Sequence, residues 1–248
     1  MRITICDDKH DLGTQAAKLG AKLIKEAILE KGKAVIVLPT GLSQIDMYDV
    51  LTKESIPWDK VEAFHLDEYV GLSASNPSSF RYYLQKRFVS KIKGLGAFHE
   101  IEADAKDLLG EVKRLNDLLS DKVVDVIFLG IGENGHIAFN DPPANLETTN
   151  PFIIVNLEER CRRQQVSEKW FASLDEVPTQ AISISIRQIL KAKSLICSVP
   201  DQRKARAVAM CLYDQLSPYS PCTVLRDKEE CTLLLDKPSS MLILGDRR

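Results

Sequence analysis

Short runs that are apolar at nearly every position alternate, along almost the whole chain, with longer stretches whose apolar residues recur every three or four positions. RITIC (Arg2 to Cys6), AVIVLPT (Ala34 to Thr40) and VEAFHLDEY (Val61 to Tyr69) read as strands, as do the runs starting near Ala97, Val123, Phe152, Ala181, Ser194 and Cys231. Between them, Ala16, Leu19, Leu23 and Ala27 fall on one helical face, as do Leu108, Val112, Leu115 and Leu119, and Ala205, Val208, Ala209 and Leu212. A further helix is expected near NPSSFRYYL, with Asn76 as its cap and Pro77 in its first turn. Strands that are apolar throughout need cover on both faces. The pattern therefore predicts an α/β, Rossmann-like fold with a mainly parallel sheet between two helical layers. With no internal repeat, low-complexity tract or linker, a single domain over residues 1–248 is expected.

Composition changes the picture mainly by exclusion. Hydrophobic residues make up 44% and charged residues 27% of the 248, with a net charge of −2, as in an ordinary globular protein. No basic run marks a phosphate-neutralising face, so no nucleic-acid partner is expected. No apolar run is long enough to span a bilayer and the acids Asp7 and Asp8 come too early for a signal peptide, so a cytoplasmic protein with no membrane partner is expected. The six cysteines are scattered without a C-x-x-C pair, and Cys6, Cys197 and Cys231 sit in strand-like runs as buried thiols. Neither a disulfide framework nor a zinc site is expected.

Open α/β sheets bind ligands beyond the carboxyl ends of their strands, and four such ends carry chemistry. In LPTGLSQ, a strand, a glycine turn and a helix start bring backbone amides and the Thr40 and Ser43 hydroxyls together as an anion cradle. It is neither a G-x-G-x-x-G fingerprint nor a Walker loop. In FHLDEYVGL, strand alternation sends Asp67 and Glu68 to opposite sides, so one acid reaches a substrate as general base. In GENGHIAFNDPP, glycines let the chain approach a ligand closely. There His136 brings a group of ordinary pKa about 6.5, and Asp141 can orient it or stabilise its charged form. One histidine with one acid does not define a metal site. In PDQRKARAV, Lys204 stands in the first turn of a helix, unfavourable for the helix dipole unless an anion is shared there.

These segments, in this order, resemble the glucosamine-6-phosphate deaminase (isomerase) family, within a superfamily that includes 6-phosphogluconolactonases. LPTG, FHLDEYVGL with NPSSFRYYL, LGIGENGHIAFNDP, VPTQAISISI and RKARAVA carry the likeness from Leu38 to Met210. A lactonase is expected to read nearer DGHTASLFP after its glycines. The resemblance implies conversion of a hexosamine 6-phosphate, foremost glucosamine 6-phosphate, to fructose 6-phosphate and ammonia with no metal or organic cofactor. It puts the proton-transferring base of C2 and C1 on Asp67 and ring opening on His136 with Asp141. Asn134, where many members have aspartate, would hold His136 by hydrogen bonding. The substrate contacts fall on Thr40, Gly41, Leu42, Ser43, Gly135 and Lys204.

Four features depart from the family pattern: Asn134 itself; Asp141, one methylene shorter than the usual glutamate; Leu42 in place of a second glycine; and Lys169 where a phosphate-binding arginine is expected, with Arg160, Arg162 and Arg163 nearby. They leave three alternatives open: an isomerase of another amino- or keto-sugar phosphate, a 6-phosphogluconolactonase, and a non-catalytic sugar-phosphate sensor. A homo-oligomer is also left open, and the segment after Leu235 carries no legible motif.

Overall fold

The computed structural model describes residues 1–244. Along the chain run β1 (Arg2–Cys6), α1 (Lys9–Lys31), β2 (Ala34–Leu38), α2 (Ile45–Leu51), β3 (Val61–His65), β4 (Asp67–Tyr69), α3 (Phe80–Arg87), β5 (Ala97–His99) and α4 (Leu108–Leu119). There follow β6 (Val126–Leu129), β7 (Phe152–Asn156), α5 (Glu159–Ser167), β8 (Gln180–Ile184), α6 (Ile186–Lys191), β9 (Ser194–Val199), α7 (Ala205–Tyr213), β10 (Cys231–Asp236) and α8 (Met241–Leu244).

Seven strands form one parallel sheet in the order β1-β10-β9-β6-β2-β3-β5. Side-chain alternation divides its two cores. Val35, Val37, Ile127 and Leu129 face one layer, with Leu115 of α4, Ile189 of α6 and Val208 of α7. Ala34, Ile36, Leu38, Val126 and Phe128 face the other, with Leu12 and Ile24 of α1, Tyr48 of α2 and Leu84 of α3. Gly20 lets α1 lie flat on the sheet, since a Cβ there would fall 2.3 Å from the Phe128 ring. From β2 the chain proceeds one way through β3 and β5, then returns through β6, β9 and β10 on the other side. That reversal opens a crevice between β2 and β6.

The fold departs from the sequence expectation in three places. VEAFHLDEY is two strands rather than one, and a small antiparallel sheet, β4-β8-β7, accompanies the large one. Leu66 is the joint: its N–H donates to Leu38 O at the end of β2, while its carbonyl accepts from Ile184 N of β8. Alternation is read along one strand at a time, so a change of partner sheet within nine residues leaves no mark in it. Third, Asn76 does not cap α3. Its side chain accepts from Ser78 N in a turn, and the helix starts after Ser79, where the Glu68 carboxylate accepts from Phe80 N, Arg81 N and the Ser79 hydroxyl. A buried acid brought in by β4 thus replaces the local cap.

Candidate active site

A cleft of about 820 Å³ lies over the carboxyl ends of β2, β6, β9 and β10 at the crevice. Asp67, the first residue of β4, faces it and is only 5% exposed. Among the described residues no side-chain hydrogen bond or ion pair engages its carboxylate. Burial first, and the neighbouring Glu68 second, push the Asp67 carboxyl well above the usual carboxylate range. Glu68 points the opposite way, as alternation requires, and is consumed in capping α3 beside Arg81. Of the four histidines, His65 ends β3 fully buried and off the cleft, where burial and then Arg81 push it down to about 3 and keep it neutral. His10 and His99 pair with Asp46 and Glu62, leaving His136 as the one that lines the cleft.

His136 sits in the loop after β6. Gly132 donates to the His136 carbonyl and lies directly against the imidazole, where an added Cβ would be 2.2 Å from Cε1. Only glycine lets the ring rest there. Nδ1 lies 3.0 Å from Asp141 Oδ1, a close contact whose angle falls short of an aligned hydrogen bond. Asp141 is itself clamped: Oδ1 accepts from Asn134 Nδ2 at 2.9 Å, and Oδ2 accepts from Glu158 N at 2.8 Å. Burial opposes its charge, but His136 and the two donors outweigh burial and hold the carboxyl below its usual range. Asn134 also accepts from His136 N through Oδ1 and donates to Glu158 Oε2. Cys161 Sγ completes a His136–Asp141–Cys161 cluster within 4.8 Å, a set of metal-ligand types. The chemistry of the set argues against a cation, because both Asp141 oxygens already accept from N–H donors. In addition burial, then Asp141, raise the Cys161 thiol far above its usual range.

The anion end is built by two helix starts. Gly41 adopts φ +103, open to glycine, and turns the chain so that Leu42 and Ser43 begin a helical turn with free amides. Thr40, Gly41, Leu42 and Ser43 all line the cleft, so the missing second glycine costs no turn: Leu42 needs no positive φ. Lys204, at the junction to α7, lines the opposite wall. It is 8% exposed and makes no ion pair among the described residues. Burial lowers its pKa, against a partial pull upward from Glu168 and Glu133.

Several expected contacts fall elsewhere. Gly135 does not line the cleft; with φ +87 it packs against Met210 and Cys222 and serves the turn that presents His136. Asn134 and Asp141 lie behind His136 rather than on the cleft wall. Lys169 is exposed and outside the cleft, Arg162 is bound to the Leu174 and Val177 carbonyls, Arg163 pairs with Glu159, and Arg160 is exposed. Residues without a sequence motif take their place, namely Gln164, Gln165, Glu168 and the Asp236–Pro238 segment after β10, joined by Arg203 from the PDQRKARAV run. The last could have been sought beyond the end of the final strand. The glutamines gave no signal, since they sit in a polar helix.

A family model described as glucosamine-6-phosphate isomerases/6-phosphogluconolactonase matches residues 7–234. A glucosamine-6-phosphate deaminase of Clostridium acetobutylicum is 32% identical over 250 residues, covering 98% of this chain and 100% of that protein. One of Oenococcus oeni is 32% identical over 229 residues, covering 92% and 94%. Among solved structures, one described as a monomeric glucosamine-6-phosphate deaminase superposes with a TM-score of 0.87 at 31% identity, over 98% of this chain and 100% of that one. A 6-phosphogluconolactonase of Shewanella baltica superposes at 0.79 with 19% identity, over 95% and 97%, a likeness of fold alone.

Proposed function

The chain belongs to the glucosamine-6-phosphate isomerase/6-phosphogluconolactonase family, and within it we propose that it converts glucosamine 6-phosphate and water to fructose 6-phosphate and ammonia. The observation that carries this reading is Asp67: a buried, unpaired carboxylate of raised proton affinity facing the same cleft as a carboxylate-braced histidine and a buried lysine. Lactone hydrolysis has no need of a base at C2, whereas aldose–ketose isomerisation by proton transfer through an enolamine requires one.

In this reading Lys204, the Leu42 and Ser43 amides and the Thr40 and Ser43 hydroxyls take the phosphate and so fix the sugar along the cleft. His136, coupled to Asp141, moves the proton between ring oxygen and C1 hydroxyl that opens the pyranose. Asp67 then removes the C2 proton, giving an enolamine, and returns it to C1. The product is a C2 imine, to which water adds; the carbinolamine collapses to the ketone and expels ammonia. Every step is proton transfer, water addition or loss of ammonia, which asks for no metal or organic cofactor. The six buried, unpaired thiols fit a reducing compartment, and we place the reaction in the cytoplasm, on one domain. Among the described residues no helix is long and apolar enough to cross a membrane.

The test is coupled detection of ammonia and fructose 6-phosphate after glucosamine 6-phosphate is added to the purified protein in a metal chelator. Equimolar release of both is expected. Binding of the sugar phosphate without release would point to a sensor, and ketose formation from another sugar without ammonia would move the substrate.

A further inference from the structure

Glu158 occupies the N-cap of α5, where an acidic side chain ordinarily accepts from the amides of the first turn. It makes no such bond. Its carboxylate turns back instead, and Oε2 accepts from Asn134 Nδ2 at 2.7 Å, while its own N–H donates to Asp141 Oδ2. Asn134, 4% exposed, therefore gives both hydrogens of one amide nitrogen to two carboxylates and accepts from His136 N with its oxygen. That pattern settles which way the amide faces, because the flipped form would set its oxygen against two acids.

From this arrangement we infer that Glu158 is a positioning residue, acting through Asn134 to hold Asp141 and hence His136, and that position 134 must be an amide because Glu158 stands beside it. An aspartate at 134 would offer no donor and would bring three carboxylates together. The inference rests on the deaminase reading of this cleft. Glu158 and Asn134 do not line the cleft, so their loss acts on the chemical step rather than on substrate binding.

The experiment is a cycle of Asn134→Asp, Glu158→Gln and the double variant, with kcat and KM of ammonia release measured for each. Asn134→Asp is expected to lower kcat about tenfold or more, with KM within about threefold of the native value. Glu158→Gln lowers kcat a few-fold in the native chain, where it weakens a charge-assisted bond. In the Asn134→Asp background it raises kcat, because the introduced amide donates to the new acid and removes one of the two clashes. Recovery is partial, since Asp141 still faces the aspartate. This reversal of sign is the expected result; singles that multiply in the double, or losses confined to KM, overturn the inference. If Asn134→Asp does not fold, Glu158→Gln is compared with Glu158→Ala: the glutamine retains an acceptor and must keep the higher kcat, and equality overturns the pairing. If the native protein releases no ammonia, the deaminase reading fails by itself. The pairing is then read from the melting temperatures of the same cycle, where additive shifts would overturn it.

Discussion

Replacing Asp67 with asparagine is expected to destroy turnover and at the same time stabilise the fold. The carboxylate is 5% exposed, makes no ion pair among the described residues and has Glu68 as its neighbour, so its folded-state pKa stands above the unfolded value. An acid whose pKa is raised on folding holds its proton to higher pH in the native state, so its ionisation costs stability once the pH passes the unfolded value. Asparagine carries no charge to desolvate. Leaving a buried polar group without a partner costs about 1–3 kcal/mol, and a charged one at least that. At about 2–4 °C per kcal/mol for a chain of this size, a penalty of about 1–3 kcal/mol is a rise of about 2–12 °C in melting temperature. The rise should grow with pH above the ordinary carboxylate range and shrink towards pH 4, where the native carboxyl is protonated. Loss of a general base lowers kcat by about 10²–10⁴-fold. The assay is thermal unfolding of both proteins across this pH range, beside ammonia release at saturating substrate. A lower melting temperature for Asp67→Asn at pH 7.5, or a gap that fails to narrow in acid, would refute the desolvation argument. Near-native turnover would refute the catalytic one.

Asp141→Asn should behave in the opposite sense. His136 and the flanking donors hold this carboxyl below its unfolded value, so it contributes stability above that value and loses it as pH falls through the native one. The variant should melt lower by about 2–12 °C at pH 7.5, with the deficit vanishing in acid unfolding scans. Lys204→Gln should raise KM for glucosamine 6-phosphate about 10- to 150-fold, the range for a hydrogen bond to a charged group, with a far smaller effect on kcat. In the native protein kcat/KM should fall on the alkaline side below the ordinary lysine range, because burial depresses the Lys204 pKa and its cationic form is lost as pH rises through it. Gly132→Ala puts a methyl 2.2 Å from the His136 ring, so kcat should collapse while circular dichroism shows a folded protein.

The legible part of this protein was whatever depends on neighbours in the chain. The central strands β2, β6 and β9 were visible because a strand buried on both faces has few polar positions to interrupt it, and most of the chemistry lies just beyond the strand ends. Asp67, His136, Thr40, Gly41, Leu42, Ser43 and Lys204 do meet at one cleft. The small sheet was hidden, because Leu66 changes partners by backbone bonds that carry no side-chain signature. Gln164, Gln165 and Glu168 reach the cleft from a helix that reads as solvated surface, and Asp236–Pro238 from a segment with no motif.

Sequence alone thus determined the α/β class and the groups at strand ends, since local periodicity sets secondary structure and parallel strands deliver their carboxyl ends to one side. Only the tertiary structure decided what each acid does. Asp67 and Glu68 are adjacent, yet one is left unpaired in the cleft while the other caps a helix. Asn134, which by sequence weakens the case for His136, is supplied with an acid by Glu158 from 24 residues away. The proton affinity of a carboxylate is set by what packs around it, and those contacts come from chain segments that no local pattern brings together.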